Sequence, residues 1–309
     1  MTPSHQPARS ARCLTGALAL AAVFLVAACG GGSSDSPSSG GSTNPPAAAL
    51  QINAATYLDA AAIGAIAFER ASGLSASLDR AFELMQEAGG TSRSVPCAAA
   101  GSVFFAFANP SANSATFVSC EDRGGLLTSG VVNTTGLVVT QTAIRTNLVG
   151  ANFDLQNVVY RAVPGDGINQ TISGALRADR RPDNAMALVG QLGVVRNSRA
   201  DTYGDVSLVA VGFGSTVVLD SATMSVATPR FAAQPLKLAS STVNGLQVLT
   251  MTAPDSSSVK VSTLANATSA RPAQLRFDVY AAGNANPVIT QILAADDGSY
   301  TAALARALQ

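Results

Sequence analysis

The chain has 309 residues, 47% of them hydrophobic and only 12% charged, with 19 basic and 19 acidic side chains and a single histidine, His5. So even a balance leaves no clustered basic face of the kind nucleic acid requires, and no nucleic-acid partner is expected. A lone histidine near the N-terminus also removes imidazole from the chemistry of everything that follows it.

The first element in chain order is a targeting segment. Arg9 and Arg12 form a short basic stretch free of acids, and residues 14–28 then run without a charge. That run is shorter than the roughly 20 apolar residues of a spanning helix, but it suits the apolar region of a secretory signal ending in small residues. The sequence Val26-Ala27-Ala28-Cys29 resembles the lipobox of bacterial lipoproteins. Cys13 does not compete, because Arg12 precedes it and it lies before the apolar run. The resemblance implies that Cys29 takes a diacylglycerol, that residues 1–28 are cleaved, and that the new N-terminus is acylated. Gly30 stands where an aspartate in such proteins marks retention in the inner membrane, so the resemblance implies the outer membrane. The domain would face the periplasm or the cell surface, with the membrane as partner through covalent lipid.

Residues 30–48 are Gly, Ser, Pro, Ala, Thr, Asn and one Asp, a composition with almost nothing to bury that behaves as a flexible tether. About 19 such residues reach on the order of 25 Å. Cleavage removes two of the 19 basic residues and no acid, leaving 17 against 19, a net of about −2.

Residues 54–88 are alanine-rich and favour helix. Tyr57, Ala61, Gly64 and Phe68 make one stripe, and Leu74, Leu78, Ala81 and Met85 repeat it after Gly73. This predicts two helices, or one kinked near Gly73, docked on a sheet and ended by Gly89-Gly90. A plug that gates an apolar groove is the sharper form of the same expectation.

Cys97 and Cys120 are the two cysteines besides the lipidated one in the mature chain. An even pair in an oxidising compartment reads as a disulfide, and the two flank a hairpin built from 103–107 and 115–118. A redox or metal pair is disfavoured, since there is no C-x-x-C spacing and no further thiolate or imidazole.

Beyond residue 98 the pattern turns to period two. Met186, Leu188, Leu192 and Val194 alternate with small or polar residues, and Leu275, Phe277 and Val279 alternate with Gln274, Arg276 and Asp278. Asn244-Gly245 is a strong hairpin signal, and breaks fall at 164–167, 180–184, 283–287 and 296–298. Strands joined by short turns without intervening helices mean an antiparallel meander. The fold expected is therefore mainly β: around ten strands in a large meander, a curved open sheet or barrel-like, with the N-terminal helical segment packed on its concave face. The domains expected are the signal peptide 1–28, the lipidated Cys29 and tether 29–48, the helical segment 49–92 and the antiparallel β domain 93–309. Residues 49–309 would form one folded unit.

No catalytic set stands out. With His5 lost, no Ser-His-Asp or Cys-His triad can be built, nor the usual histidine-containing zinc site. Ser257 and Lys260 match a bare S-x-x-K, but the S-D-N and K-T-G elements of that family are missing, and the match reads as coincidence. Asp296-Asp297 reads as a solvated hairpin tip ahead of a calcium ligand or an acid-base couple. The mixed cluster Arg177, Asp179, Arg180, Arg181 and Asp183 reads as a surface turn ahead of an anion contact.

The expected function is a non-enzymatic, lipid-anchored binding or structural module of the cell envelope, similar in style to uncharacterised β-rich lipoproteins of Gram-negative bacteria, with no cofactor and no metal and an envelope protein as its partner. The alternative is a carrier of lipid or another apolar ligand in the sheet's groove, with Phe105, Phe107, Phe117, Phe153 and Tyr160 as lining. An open hollow of several hundred cubic ångströms would favour the carrier, and a filled interior would favour the module.

Overall fold

The computed structural model describes residues 49–308 apart from 110, 123–126, 142–145, 161–169, 184, 212–217, 233 and 269–270. The unit described is Ala47–Gln309. It begins with a helix, α1 (Tyr57–Ala88), of 32 residues. The chain enters through a local turn in which the Asn53 side chain accepts from the Ala55 N–H and the Thr56 hydroxyl donates to the Gln51 carbonyl. It leaves through Gly89, left-handed at φ 66°, whose N–H donates to the Gln86 carbonyl.

The strands follow as β1 (Arg93–Pro96), β2 (Ala100–Asn109), β3 (Ala112–Glu121), β4 (Leu127–Gln141), β5 (Thr146–Tyr160), β6 (Gln170–Arg180) and β7 (Met186–Arg196). After them come β8 (Arg199–Val211), β9 (Val218–Ala227), β10 (Leu236–Val243), β11 (Leu246–Thr252), β12 (Ser258–Ala265), β13 (Gln274–Tyr280) and β14 (Ile289–Ala294), and last a second helix, α2 (Gly298–Leu308). All 14 strands form one antiparallel sheet in strict chain order, open at β1 and β14. This is the mainly β meander that the period-two pattern predicts, though with fourteen strands instead of about ten. β4 and β5 each run 15 residues, and their pairing shifts register repeatedly. Gly130 and Gly136 there take positive φ, so simple alternation breaks within a strand.

Apolar positions face α1 and polar positions face outward. In β10 Leu236, Leu238 and Ser240 are buried while Lys237, Ala239 and Ser241 are exposed, the reverse of a strand that faces lipid. Asn244 and Gly245, both at positive φ, make the two-residue turn into β11.

The helix lies across the strands and is buried on nearly every side, with Ile63, Ile66, Leu74, Leu78, Leu84 and Met85 all in the core. At about 1.5 Å per residue α1 is about 48 Å long, while strands about 4.8 Å apart make the sheet about 62 Å wide. Contacts step backward through the chain along the helix. Tyr57 meets Phe277 of β13 with ring centroids 6.1 Å apart. Gly64 faces Met251 of β11, Arg70 reaches Asp201 of β8, Gly73 meets Tyr160 of β5, and Arg80 reaches Asp122 just past β3. The sheet thus wraps a single rod, whose N-terminal half carries the late strands and whose C-terminal half carries the early ones.

Gly73 is not a break. The helix runs through it, and a Cβ there would stand 1.6 Å from the Tyr160 hydroxyl oxygen, so glycine allows β5 to touch the helix. Gly73→Ala is expected to lower stability by about 1–3 kcal/mol through overpacking, outweighing the gain of up to about 1 kcal/mol in helix propensity. Urea titration followed by circular dichroism checks the sign: an alanine variant as stable as the parent would show that Tyr160 swings away freely.

The segment 298–308, expected within the β domain, is helical. Asp297 caps it, its carboxylate accepting from the Ser299 N–H and hydroxyl, and these bonds hold its pKa below the ordinary carboxylate value. The Asp296-Asp297 pair therefore opens a helix and is not a hairpin tip. Tyr300 packs edge-on against Phe277 at 5.3 Å, and burial pushes its phenol up to about 12.

Candidate functional site

Cys29, the lipobox, the tether and the expected 164–167 break lie outside the described residues. The chain joins the fold at 50–52. Leu50 N–H donates to Gln234 at 2.7 Å, and Ile52 N–H to the Ser257 hydroxyl at 2.6 Å. Ser257 in turn donates to Asp255 at 2.6 Å. That hydroxyl is a structural anchor for the incoming chain. Ser257 is buried just before β12, as is Val259 within the strand, whereas Lys260, next to Val259 on β12, is half-buried and on the opposite face from Val259. Ser257 and Lys260 therefore cannot form a nucleophile–base pair.

Two small hollows lie between the C-terminal half of α1 and the sheet. One, beside Leu78, Leu148, Phe153 and Leu188, has Asp79 and Arg180 among its lining; the other is enclosed by Phe82, Met85, Phe105, Val132 and Phe153. Phe153 is common to both, and each admits only about 20 Å³, close to one water. Asn113 and Thr134, directly opposite across β3 and β4, add polar groups to the second, and the Asn113 amide nitrogen has no hydrogen-bond partner among the described residues.

Of the five aromatic residues proposed as lining, Phe105 and Phe153 meet at that second hollow. Phe117 and Tyr160 are buried in the core, and Phe107 packs against its margin, its ring 6.4 Å from that of Phe105.

Cys97 and Cys120 are joined, with Cα atoms 5.6 Å apart, inside the range a disulfide spans. The bridge ties the β1–β2 connection to the end of β3. Asp122, just beyond, accepts from the Ala98 N–H and from Arg80 of α1, both at 3.1 Å. Arg80 also pairs with Glu83 at 2.8 Å. Burial pulls the Arg80 pKa down, but Asp122 and Glu83 more than offset this and leave it above the ordinary value.

The cluster from Arg177 to Asp183 is only partly a turn, because 177–180 belong to β6. Arg177 is held bidentately by Asp179 at 2.7 and 3.2 Å on the exposed face, and Arg180 donates to the Leu148 carbonyl at 2.6 Å. The residues are thus engaged within the fold.

The strongest polar constellations are ones that sequence reading passes over. Arg70 donates to Asp201 at 2.8 Å and to the Tyr203 hydroxyl, and its guanidinium stands 5.9 Å from the Tyr203 ring centre. Arg199 reaches the same Asp201 at 3.5 Å. Burial lowers the Arg70 pKa, while Tyr203 and Asp201 raise it more, so it ends above the ordinary arginine value. At the other end of the helix Asp59 is held by Arg230, which follows β9, and by Arg306 of α2 at 2.8 Å. Asp59, Arg70 and Arg80 share α1 with Glu69, Asp79, Glu83 and Glu87, so their presence in the helix did not mark them out.

Among the described residues no group of three or more His, Cys, Asp or Glu is placed to hold a metal ion, and no helix is long and apolar enough to cross a membrane. The fold defines a class: a long open antiparallel meander wrapped on a central helix and keyed to it by buried ion pairs. No family model, curated protein or solved structure matches the chain.

Proposed function

We propose that this chain is a lipid-anchored, non-catalytic module of the bacterial cell envelope, held to the outer membrane through Cys29 and acting as a binding or structural protein. One observation favours this over the lipid-carrier reading. The concave face that a carrier would keep open is occupied by α1, fixed through Asp59, Arg70 and Arg80, and the two hollows beside it among the described residues admit about 20 Å³ each. An acyl chain needs a pocket many times larger.

The anchor is tested by Cys29→Ser in the full chain, followed by membrane fractionation and mass spectrometry of the N-terminus. Loss of processing and of membrane association is the expected result; unchanged processing and partition would refute the anchor. Native mass spectrometry of the purified protein addresses the carrier reading separately. Bound lipid at one equivalent would displace the module reading in its favour.

A further inference from the structure

The two edges of the sheet differ in how they meet solvent. Natural edge strands are guarded against pairing by charge, proline, a bulge or a cover. β1 is guarded in this way, being four residues long with Arg93 at one end and Pro96 at the other. β14 has no such guard. Its sequence, Ile-Thr-Gln-Ile-Leu-Ala, has no charge and no proline, and its register with β13 runs without a bulge. No described strand pairs with its outer side. The two most exposed large apolar side chains among the described residues are Ile292 at 57% and Val288 at 56%, one on this strand and one directly before it. Ile292 falls on the outward face with Thr290, while Ile289 and Leu293 pack against the core margin; Val288 sits in the bend before the strand, its N–H donating to the Val279 carbonyl at 2.7 Å. At the strand's end Ala295 donates to Ala273. Ladder alternation from that bond turns the backbone groups of Thr290, Ile292 and Ala294 toward the open side.

We infer that two copies of this chain pair β14 with β14, antiparallel across a two-fold axis, to make one continuous sheet. The strand's own chemistry selects a second copy as the occupant. Isologous pairing sets each residue near its own duplicate, which penalises charged strands, and Ile289–Ala294 carries no charge. Outward residues must meet outward residues, so the axis passes through a residue, not between two. Centred on Gln291, the register uses the whole strand. It sets Thr290 opposite the partner's Ile292 and Ile289 opposite the partner's Leu293. Ile292 is then covered, and the free backbone groups of Thr290 and Ile292 are paired. Because β1 is guarded, a copy cannot add its β14 to the next copy's β1, and the assembly closes at two without running on as a fibre.

Cysteine crosslinking of the full chain in intact cells tests this pairing. On the open side Gln291 would sit in a non-hydrogen-bonded pair, where Cα atoms lie about 4.5 Å apart, within disulfide reach. Thr290→Cys, Gln291→Cys and Ile292→Cys are each oxidised and run on non-reducing gels. Gln291→Cys is expected to shift to twice the monomer mass and to lose that band when Ile292→Lys is added. Resistance to trypsin shows that the lysine variant remains folded. A dimer band at Thr290→Cys or Ile292→Cys instead would keep the pairing with its register moved by one residue. No dimer band at any of the three positions overturns the inference, as does an equal yield from Val118→Cys on the outer face of β3. A crosslinked band that contains a different protein overturns the choice of a second copy.

Discussion

Asp201→Ala is expected to destabilise the protein by about 3–5 kcal/mol, the range for removing one partner of a buried ion pair. Asp201 is the only carboxylate within ion-pair distance of Arg70, at 2.8 Å, among the described residues, and Arg199 also reaches it at 3.5 Å. Both guanidiniums lie inside the protein, Arg70 with 5% of its side-chain surface exposed and Arg199 with 14%. An arginine cannot escape by losing its proton, so the variant buries two cations with no counter-charge between them. Tyr203 still accepts a hydrogen bond from Arg70, which limits the loss without neutralising it. Arg70→Met is the informative contrast. It removes one cation and leaves Asp201 facing Arg199, so it is expected to lose less than Asp201→Ala. Urea midpoints at unchanged slope provide the comparison; equal losses would mean that Arg199 contributes nothing to the network.

That network also shows where sequence reading stops. The Gly89-Gly90 stop, the Asn244-Gly245 turn and the Leu275, Phe277, Val279 alternation were legible because each is a local signal. Backbone geometry and side-chain period act within a few residues. The Cys97–Cys120 pair was legible because only two cysteines remain once Cys13 and Cys29 are set aside. Gly73 left two helices or one long helix open, since glycine at close packing and glycine at a helix end look identical until Tyr160 is placed against it. The second helix was passed over because Asp297-Gly298 signals a turn and a helix start equally well. The ion pairs were not legible at all: Arg70 and Asp201 lie 131 residues apart, and Arg306 and Asp59 lie 247 apart. No period in the chain encodes which strand a helix residue will cross. The hollow at Phe105 and Phe153 belongs to the same class, because two strands far apart in the chain bring its walls together, and the aromatic residues alone did not indicate that α1 would fill the space between them.

Removing the disulfide, by reduction or by Cys97→Ala with Cys120→Ala, is expected to lower stability by about 3 kcal/mol on the chain-entropy model for a loop of this length. The two cysteines are 23 residues apart, and the bridge closes the β2–β3 hairpin beside the guarded edge. Its effect should extend beyond the loop. Asp122 follows Cys120 by two residues and is fully enclosed, and its carboxylate is shared between the Ala98 N–H, next to Cys97, and Arg80 of α1. The bridge therefore holds in place the carboxylate that pins the C-terminal half of the helix. Arg80→Met and the double alanine variant are then expected to be non-additive, with an interaction energy on the order of 0.5–3 kcal/mol, as for residues that share one network. The losses should overlap, because an Asp122 already freed from one restraint has less to lose from the other. Thermal melts of the four proteins, with and without reductant, measure this directly. Reductant should lower the midpoint of the parent and of Arg80→Met and leave both cysteine-free proteins unmoved. Strict additivity would mean that the disulfide and the ion pair stabilise the fold independently, and that the bridge does not hold Asp122 in place for Arg80.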